Sequence, residues 1–143
     1  GIGFMADSVR VPTTTVSLVC LNVTFNSTLK SDGSPTITKD FINDLYGHAS
    51  LTGQKDLLEY RETQNVSSDL SGNKASCVIE GIETRTKTGF LSLPSGVLYD
   101  FGIAGDIKLP VTHAKIFAWY DNEFGNYVNS LSNIILHLDT EIN

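Results

Sequence analysis

Two places in this chain hold residues whose types could do chemistry. One is Asp121-Asn122, set where the apolar run 115–120 gives way to a helical pattern. Ile116, Ala118 and Tyr120 alternate with Phe117 and Trp119, which reads as a strand covered on both faces. Beyond it, apolar residues recur at Phe124, Tyr127/Val128, Leu131, Ile134/Ile135 and Leu138, the spacing of one helix face. A strand that empties into a helix N-terminus turns backbone N–H groups and a polar side chain toward the crevice where α/β sheets take their ligands. Either Asp121 or Asn122 would also serve as a plain helix cap. The other place is Arg10, a lone guanidinium between Val9 and Val11. Such an arginine is most often a solvated surface charge, yet its planar fork can grip two oxygens of one anion.

The remaining reactive side chains offer less. Cys20 and Cys77 have neither the number nor the spacing of a disulfide framework or a metal site, and both read as small core residues. No metal is expected. His137 falls in the last turn of the terminal helix, where capping explains it.

The elements that must position these residues can be read in order. A β pattern begins at Val9, is kinked or restarted at Pro12, and resumes over 15–25, with Val19, Leu21, Val23 and Phe25 on one face and Leu18 and Cys20 on the other. After a polar loop, a helix starts near Thr36 or Thr38 and stops at about Gly47. Residues 52–60 add a further helical turn or two before a strand. Residues 66–79 read as strand, turn and strand, with the turn at Ser71-Gly72-Asn73. Residues 89–113, punctuated by Gly and Pro between apolar runs, suggest an extra hairpin or ordered lobe. The fold class that follows is α/β in the broad sense (α+β), a mixed, mostly antiparallel sheet packed by helices.

With 143 residues the chain suits one compact domain, and 41% apolar with 18% charged residues is an ordinary balance for a globular core. A net charge of −6 gives no electrostatic footprint for nucleic acid, and no apolar run is long enough to cross a bilayer. No signal peptide is visible, so the expected location is cytoplasmic. The chain opens on Gly1 instead of Met, as a cleaved, trimmed or tagged product would.

Ala118-Trp119-Tyr120-Asp121-Asn122-Glu123-Phe124-Gly125 resembles the Trp-Tyr-Asp-Asn-Glu segment of phosphorylating glyceraldehyde-3-phosphate dehydrogenases. Ser8-Val9-Arg10-Val11-Pro12-Thr13 and Val66-Ser67-Ser68-Asp69 resemble two further segments of that family. The resemblance covers nearly the whole chain apart from 89–113 and corresponds to the C-terminal part of the catalytic domain. It implies that Arg10 binds a sugar-phosphate substrate or inorganic phosphate and that Asn122 contacts the nicotinamide amide of NAD. It also implies a homo-oligomer, since family members are tetramers whose catalytic-domain sheets face one another.

The same resemblance shows what this chain lacks. There is no Gly-x-Gly-x-x-Gly fingerprint of an NAD-binding Rossmann domain, no Ser-Cys-Thr-Thr-Asn nucleophile motif, and no histidine before a Tyr-Thr pair, since His48, His113 and His137 all lack that context. After Gly125 the chain runs Asn126-Tyr127-Val128-Asn129 where the family has Tyr-Ser-Asn-Arg. No catalytic residue is therefore expected in this chain, and the N-terminal nucleotide-binding half is an implied partner. The expected function is the C-terminal portion of a phosphorylating, NAD-dependent, glycolytic oxidoreductase, inactive alone. The alternatives are part of an erythrose-4-phosphate dehydrogenase and a stand-alone, non-enzymatic oligomerisation or sugar-phosphate-binding module.

Overall fold

A computed structural model describes residues 5–55 and 57–142. Gly1 to Phe4 lie outside the described residues. Five strands form one sheet: β1 (Ser17–Asn26), β2 (Leu58–Arg61), β3 (Cys77–Glu80), β4 (Arg85–Leu93) and β5 (Ile107–Tyr120). The helices are α1 (Lys39–Leu51), the short α2 (Ser95–Leu98) and α3 (Asn126–Ile142), with 3-10 turns at Ser67–Leu70, Gly81–Glu83 and Tyr99–Phe101. Within the sheet β2 and β3 run parallel and every other pairing is antiparallel, so the expected mixed, mostly antiparallel α+β fold holds.

β5 is the spine. On one side it pairs with β1 from Ser17↔Tyr120 to Asn26↔Val111, and on the other with β4 and then β3. Partners across an antiparallel rung share a face. Thr112, Ala114, Ile116 and Ala118 of β5 therefore share the core-side face with Val19, Leu21, Val23 and Phe25 of β1, as the alternation predicts, although Val19 and Leu21 are exposed. The core lies on that face, where Ile42 of α1 packs with Ile79, Ala114, Ile116 and Ala118, flanked by Phe25, Tyr46, Tyr60 and Cys77. The opposite face is less covered than expected: Phe117 and Trp119 are half-buried, and Lys115 is exposed.

Several local expectations give way. Residues 9–11 form no strand, and Val9 and Val11 are 81% and 56% exposed. Strand β1 begins only after Val16, whose φ of 71° is left-handed, a strained setting for a β-branched residue. Ser67–Leu70 form a 3-10 turn instead of a strand, because the Asp69 carboxylate accepts from the Val66 N–H at 2.9 Å and closes the chain on itself. The turn at Gly72 is present, with φ 76°. Residues 52–55 are turns without a further helix. Cys20 is exposed on β1 and is no core residue, whereas Cys77 borders the core and burial pushes its thiol pKa up. His137 lies short of the last turn of α3, which runs on to Ile142.

Helix α1 starts where expected, with Thr38 Oγ1 accepting from the Phe41 N–H at 3.1 Å, but runs past Gly47 to Leu51. Gly47 is thus a mid-helix glycine whose added Cβ would meet the Tyr60 ring at 3.7 Å, an ordinary contact. Gly47→Ala is expected to raise stability by about 0.5–1 kcal/mol, read from the urea midpoint.

Residues 89–113 do form a hairpin. β4 and β5 pair out to Leu93↔Ile107, and the tip is closed by α2, the Tyr99–Phe101 turn and the Ser95 N–H donating to Asp106 Oδ1 at 2.9 Å. Helix α3 has its expected apolar periodicity, yet Leu131, Ile134, Ile135 and Leu138 are each 53–59% exposed. Nothing else among the described residues covers that face.

Candidate functional site

The polar knot at the carboxyl end of β5 begins with Asp121, 1% exposed. Its Oδ1 accepts from the backbone N–H groups of Glu123 (2.9 Å) and Phe124 (3.0 Å), and its Oδ2 accepts from the Gly72 N–H (2.7 Å). The Asn126 N–H closes the turn on the Asp121 carbonyl at 3.0 Å. One carboxylate therefore shapes the 122–125 turn and ties it to a loop far away in sequence. Burial pushes its carboxyl pKa up, but the N–H groups of Gly72, Phe124 and Glu123 outweigh burial and hold it below the ordinary value.

The partner loop is anchored from its other side. Asn73 Nδ2 donates to Glu59 Oε2 at 2.8 Å, while Glu59 Oε1 takes the Arg61 Nε–H at 2.5 Å. For Glu59, burial raises the carboxyl pKa, and the hydrogen bonds from Asn73 and Arg61 bring it below the ordinary value. Ser76 Oγ donates to Asn126 Oδ1 at 2.8 Å. Gly125 is buried against this loop, so tightly that a Cβ there would lie 2.0 Å from the Asn73 carbonyl oxygen. Beneath the knot, buried Glu80 accepts from the Trp119 indole N–H and from the Asn65 N–H and side-chain amide.

Against this frame Asn122 is exposed, and its side-chain amide makes no hydrogen bond among the described residues. Arg10 is likewise exposed and enters no ion pair or hydrogen bond among them. Ser17, where β1 starts, pairs with Tyr120, so both residues belong to segments leaving the same end of the sheet. The α3 N-terminus differs from expectation, since a turn intervenes and the Glu123 and Phe124 N–H groups are consumed by Asp121. Local reasoning from the sequence missed the roles of Gly72, Asn73 and Gly125. An Asx-type turn at Asp121 was open to local reasoning, but nothing local points from it to Gly72, 49 positions away.

Two clefts lie away from Asn122 and Arg10. One of about 360 Å³ sits between α1 and β2, lined by Asp40, Asp44 and Glu62 with His48 and Tyr60, an acidic surround unsuited to phosphate. Among the described residues no group of three or more His, Cys, Asp or Glu is placed to hold a metal ion. No helix among them is long and apolar enough to cross a membrane.

Residues 3–122 match the family model described as glyceraldehyde 3-phosphate dehydrogenase, C-terminal domain. The chain belongs to this family. It is similar to the glyceraldehyde-3-phosphate dehydrogenase of Borreliella burgdorferi, 37% identical over 120 residues that cover 82% of this chain and 27% of that protein. The enzyme of the same name from Kitasatospora aureofaciens is 32% identical over 119 residues, 83% of this chain and 26% of its own length. Glyceraldehyde-3-phosphate dehydrogenase 2 of Bacillus subtilis is 30% identical over 131 residues, 92% of this chain and 29% of that protein. The chain thus spans under a third of the length of these relatives. The matched region contains Arg10, the 72–73 loop, Asp121 and Asn122, and ends before the rest of the 122–125 turn.

Proposed function

We propose that this chain is the C-terminal catalytic-domain portion of a phosphorylating, NAD-dependent dehydrogenase of glyceraldehyde 3-phosphate, working in the cytoplasm in glycolysis. The observation that carries the reading is the Asp121 turn, which presents the unpaired Asn122 amide at the sheet end from which the Arg10 segment also departs. A free side-chain amide offers one donor and one acceptor face, the complement of a carboxamide such as that of nicotinamide. Arg10 supplies a fixed positive charge with a bidentate fork for a phosphate. NAD, when bound, accepts the hydride that leaves the substrate. The nucleophilic thiol and the proton-accepting histidine come from sequence outside this chain.

The exposed edges support this reading. β1 pairs only with β5 among the described residues, and Leu18, Val19 and Leu21 are 46%, 43% and 40% exposed. Together with the uncovered apolar face of α3, they suit packing against the nucleotide-binding half and against further copies of the enzyme.

The test is binding followed by reconstitution. The chain is expected to bind glyceraldehyde 3-phosphate or inorganic phosphate in calorimetry, and Arg10→Ala to weaken that binding by about 2 kcal/mol, roughly thirtyfold. Mixed aldehyde, NAD and phosphate should yield NADH only when a separately produced nucleotide-binding half is added. Turnover by the chain alone would overturn the assignment. Phosphate binding indifferent to Arg10→Ala, with no reconstitution, would favour a non-enzymatic module.

A further inference from the structure

A run of polar side chains reaches the Asn122 turn from strand β2. Glu59 and Arg61 share the sheet face opposite the core with Val78, Glu80 and Trp119, because β2 pairs with β3 as Arg61↔Glu80 and β3 with β5 as Val78↔Trp119. There Glu80 is 3% exposed and spends both carboxylate oxygens, Oε1 on the N–H and side-chain amide of Asn65 and Oε2 on the Trp119 indole. Asn65 Oδ1 in turn accepts from Arg61 Nη1 at 3.1 Å, and Arg61 Nε donates to Glu59 Oε1. The last link is Asn73, whose side-chain NH2 donates to Glu59 Oε2 at 2.8 Å. A guanidinium offers only donors and a carboxylate only acceptors, so each side chain in the run has its direction fixed by the one before it.

Glu59 is where this run meets the site. The Arg61 and Glu59 side chains are 29% and 37% exposed, and an ion pair that open to water adds little stability by itself. What it sets is orientation. Asn73 carries the carbonyl against which Gly125 packs, and its neighbour Gly72 donates to Asp121, so the 72–73 loop is the seat of the 121–125 turn. Asn73 cannot turn its amide over without releasing the Ala75 N–H, which its Oδ1 accepts at 2.8 Å. Its NH2 therefore needs an acceptor on the β2 side, and Glu59 is that acceptor.

Given the cofactor role proposed for Asn122, on which this rests, we infer that Glu59 is a positioning residue for that contact, acting through Asn73 and the 72–73 loop. Asn122 lies between the two points at which the loop grips its turn, Asp121 on one side and Gly125 on the other. A shift of the loop therefore moves the Asn122 amide, whose aim decides how well it meets a carboxamide. Plain support of the loop would show in stability alone, whereas positioning shows in the affinity for NAD and returns when the hydrogen bond is rebuilt with other atoms.

The experiment reverses the polarity of that one hydrogen bond. Glu59→Gln keeps an oxygen on Arg61 only by turning its NH2 toward the Asn73 NH2, donor against donor, and Asn73→Asp sets carboxylate against carboxylate. In the double variant Glu59→Gln/Asn73→Asp the new NH2 donates to the new carboxylate, while Arg61 and the Ala75 N–H keep their acceptors. In the enzyme reconstituted with its nucleotide-binding half, each single variant is expected to raise KM for NAD about tenfold with kcat within about twofold. The double variant should return KM to within about twofold of the parent. Amide exchange on the chain alone reads the same geometry without cofactor: Glu123 and Phe124 should exchange about tenfold faster in each single variant and at the parental rate in the double. Exchange at these amides indifferent to Glu59→Gln, or a double variant no better than the singles, would overturn the positioning role alone. Exchange that follows the expected pattern while KM for NAD never moves would overturn the cofactor role of Asn122, and the positioning role with it.

Discussion

Asp121→Ala is expected to destabilise the chain by about 3 kcal/mol, measured by urea denaturation at neutral pH. The substitution orphans the N–H groups of Gly72, Glu123 and Phe124 at a position only 1% exposed, where water replaces the carboxylate poorly. Hydrogen bonds to a charged acceptor are worth more than neutral ones, and the cost falls on donors left unsatisfied. Asp121→Asn separates the two halves of the contact. Its amide oxygen can still accept from Glu123 and Phe124, but its NH2 then faces the Gly72 N–H, donor against donor. The local turn should survive in Asp121→Asn while the 72–73 loop comes loose, seen as faster amide exchange at Gly72 with Phe124 still protected. Equal protection at both amides would show that Asp121 does not link the two segments.

Acid should act on the same loop. Asp121 and Glu59 both have carboxyl pKa values below their ordinary ones in the folded state. The folded state therefore binds fewer protons than the unfolded chain as pH falls. Their contribution to stability is complete above about pH 5 and is lost as pH drops through about 4 and below. Because one carboxylate holds Gly72 and the other holds Asn73, the loop loses both anchors in one window. Asp121→Asn should flatten the stability profile there, and a profile as steep as that of the parent chain would place the acid sensitivity elsewhere.

What could be read from the sequence divides by range. The strand alternation of 15–25, the helix start near Thr36 or Thr38 and the 115–120 strand are local patterns, and they reappear as β1 over Ser17–Asn26, α1 after its Thr38 cap and the end of β5. Gly47 misled because a glycine near the end of a helical pattern looks like a stop, while here it lies beside the Tyr60 ring of β2, contributed by another part of the chain. Val9 and Val11 alternate like a strand, but no neighbouring strand among the described residues pairs with them. At the site, the Trp-Tyr-Asp-Asn-Glu segment located Asn122, yet the tie from Asp121 to Gly72 spans 49 positions and has no local signature. The apolar stripe of α3 was legible as a helix face, whereas its exposure was not, because periodicity reports a face that wants covering and is silent on what covers it.

Gly125→Ala is expected to cost about 3 kcal/mol, as large as the loss of Asp121, for a purely steric reason. The new Cβ would lie 2.0 Å from the Asn73 carbonyl oxygen, 2.9 Å from its carbonyl carbon and 3.1 Å from Asp121 Cβ. Two of these atoms are backbone, so no side-chain rotation relieves the clash. The 72–73 loop cannot simply withdraw, since Asp121 holds Gly72 and Glu59 holds Asn73. The helix side cannot yield freely either, because Ser76 grips Asn126 and the Asn126 N–H is bonded to the Asp121 carbonyl. Something in the knot must break, and one candidate is the single bond by which Asp121 holds Gly72. If that is the failure point, Gly125→Ala and Asp121→Asn should be markedly non-additive, the double variant losing less than the sum of the two. Additive losses in urea denaturation would mean that the clash is relieved somewhere other than the loop. A loosened loop should also disturb the turn that carries Asn122, so, on the role proposed for Asn122, Gly125→Ala is expected to weaken NAD binding by the reconstituted enzyme even where the variant remains folded.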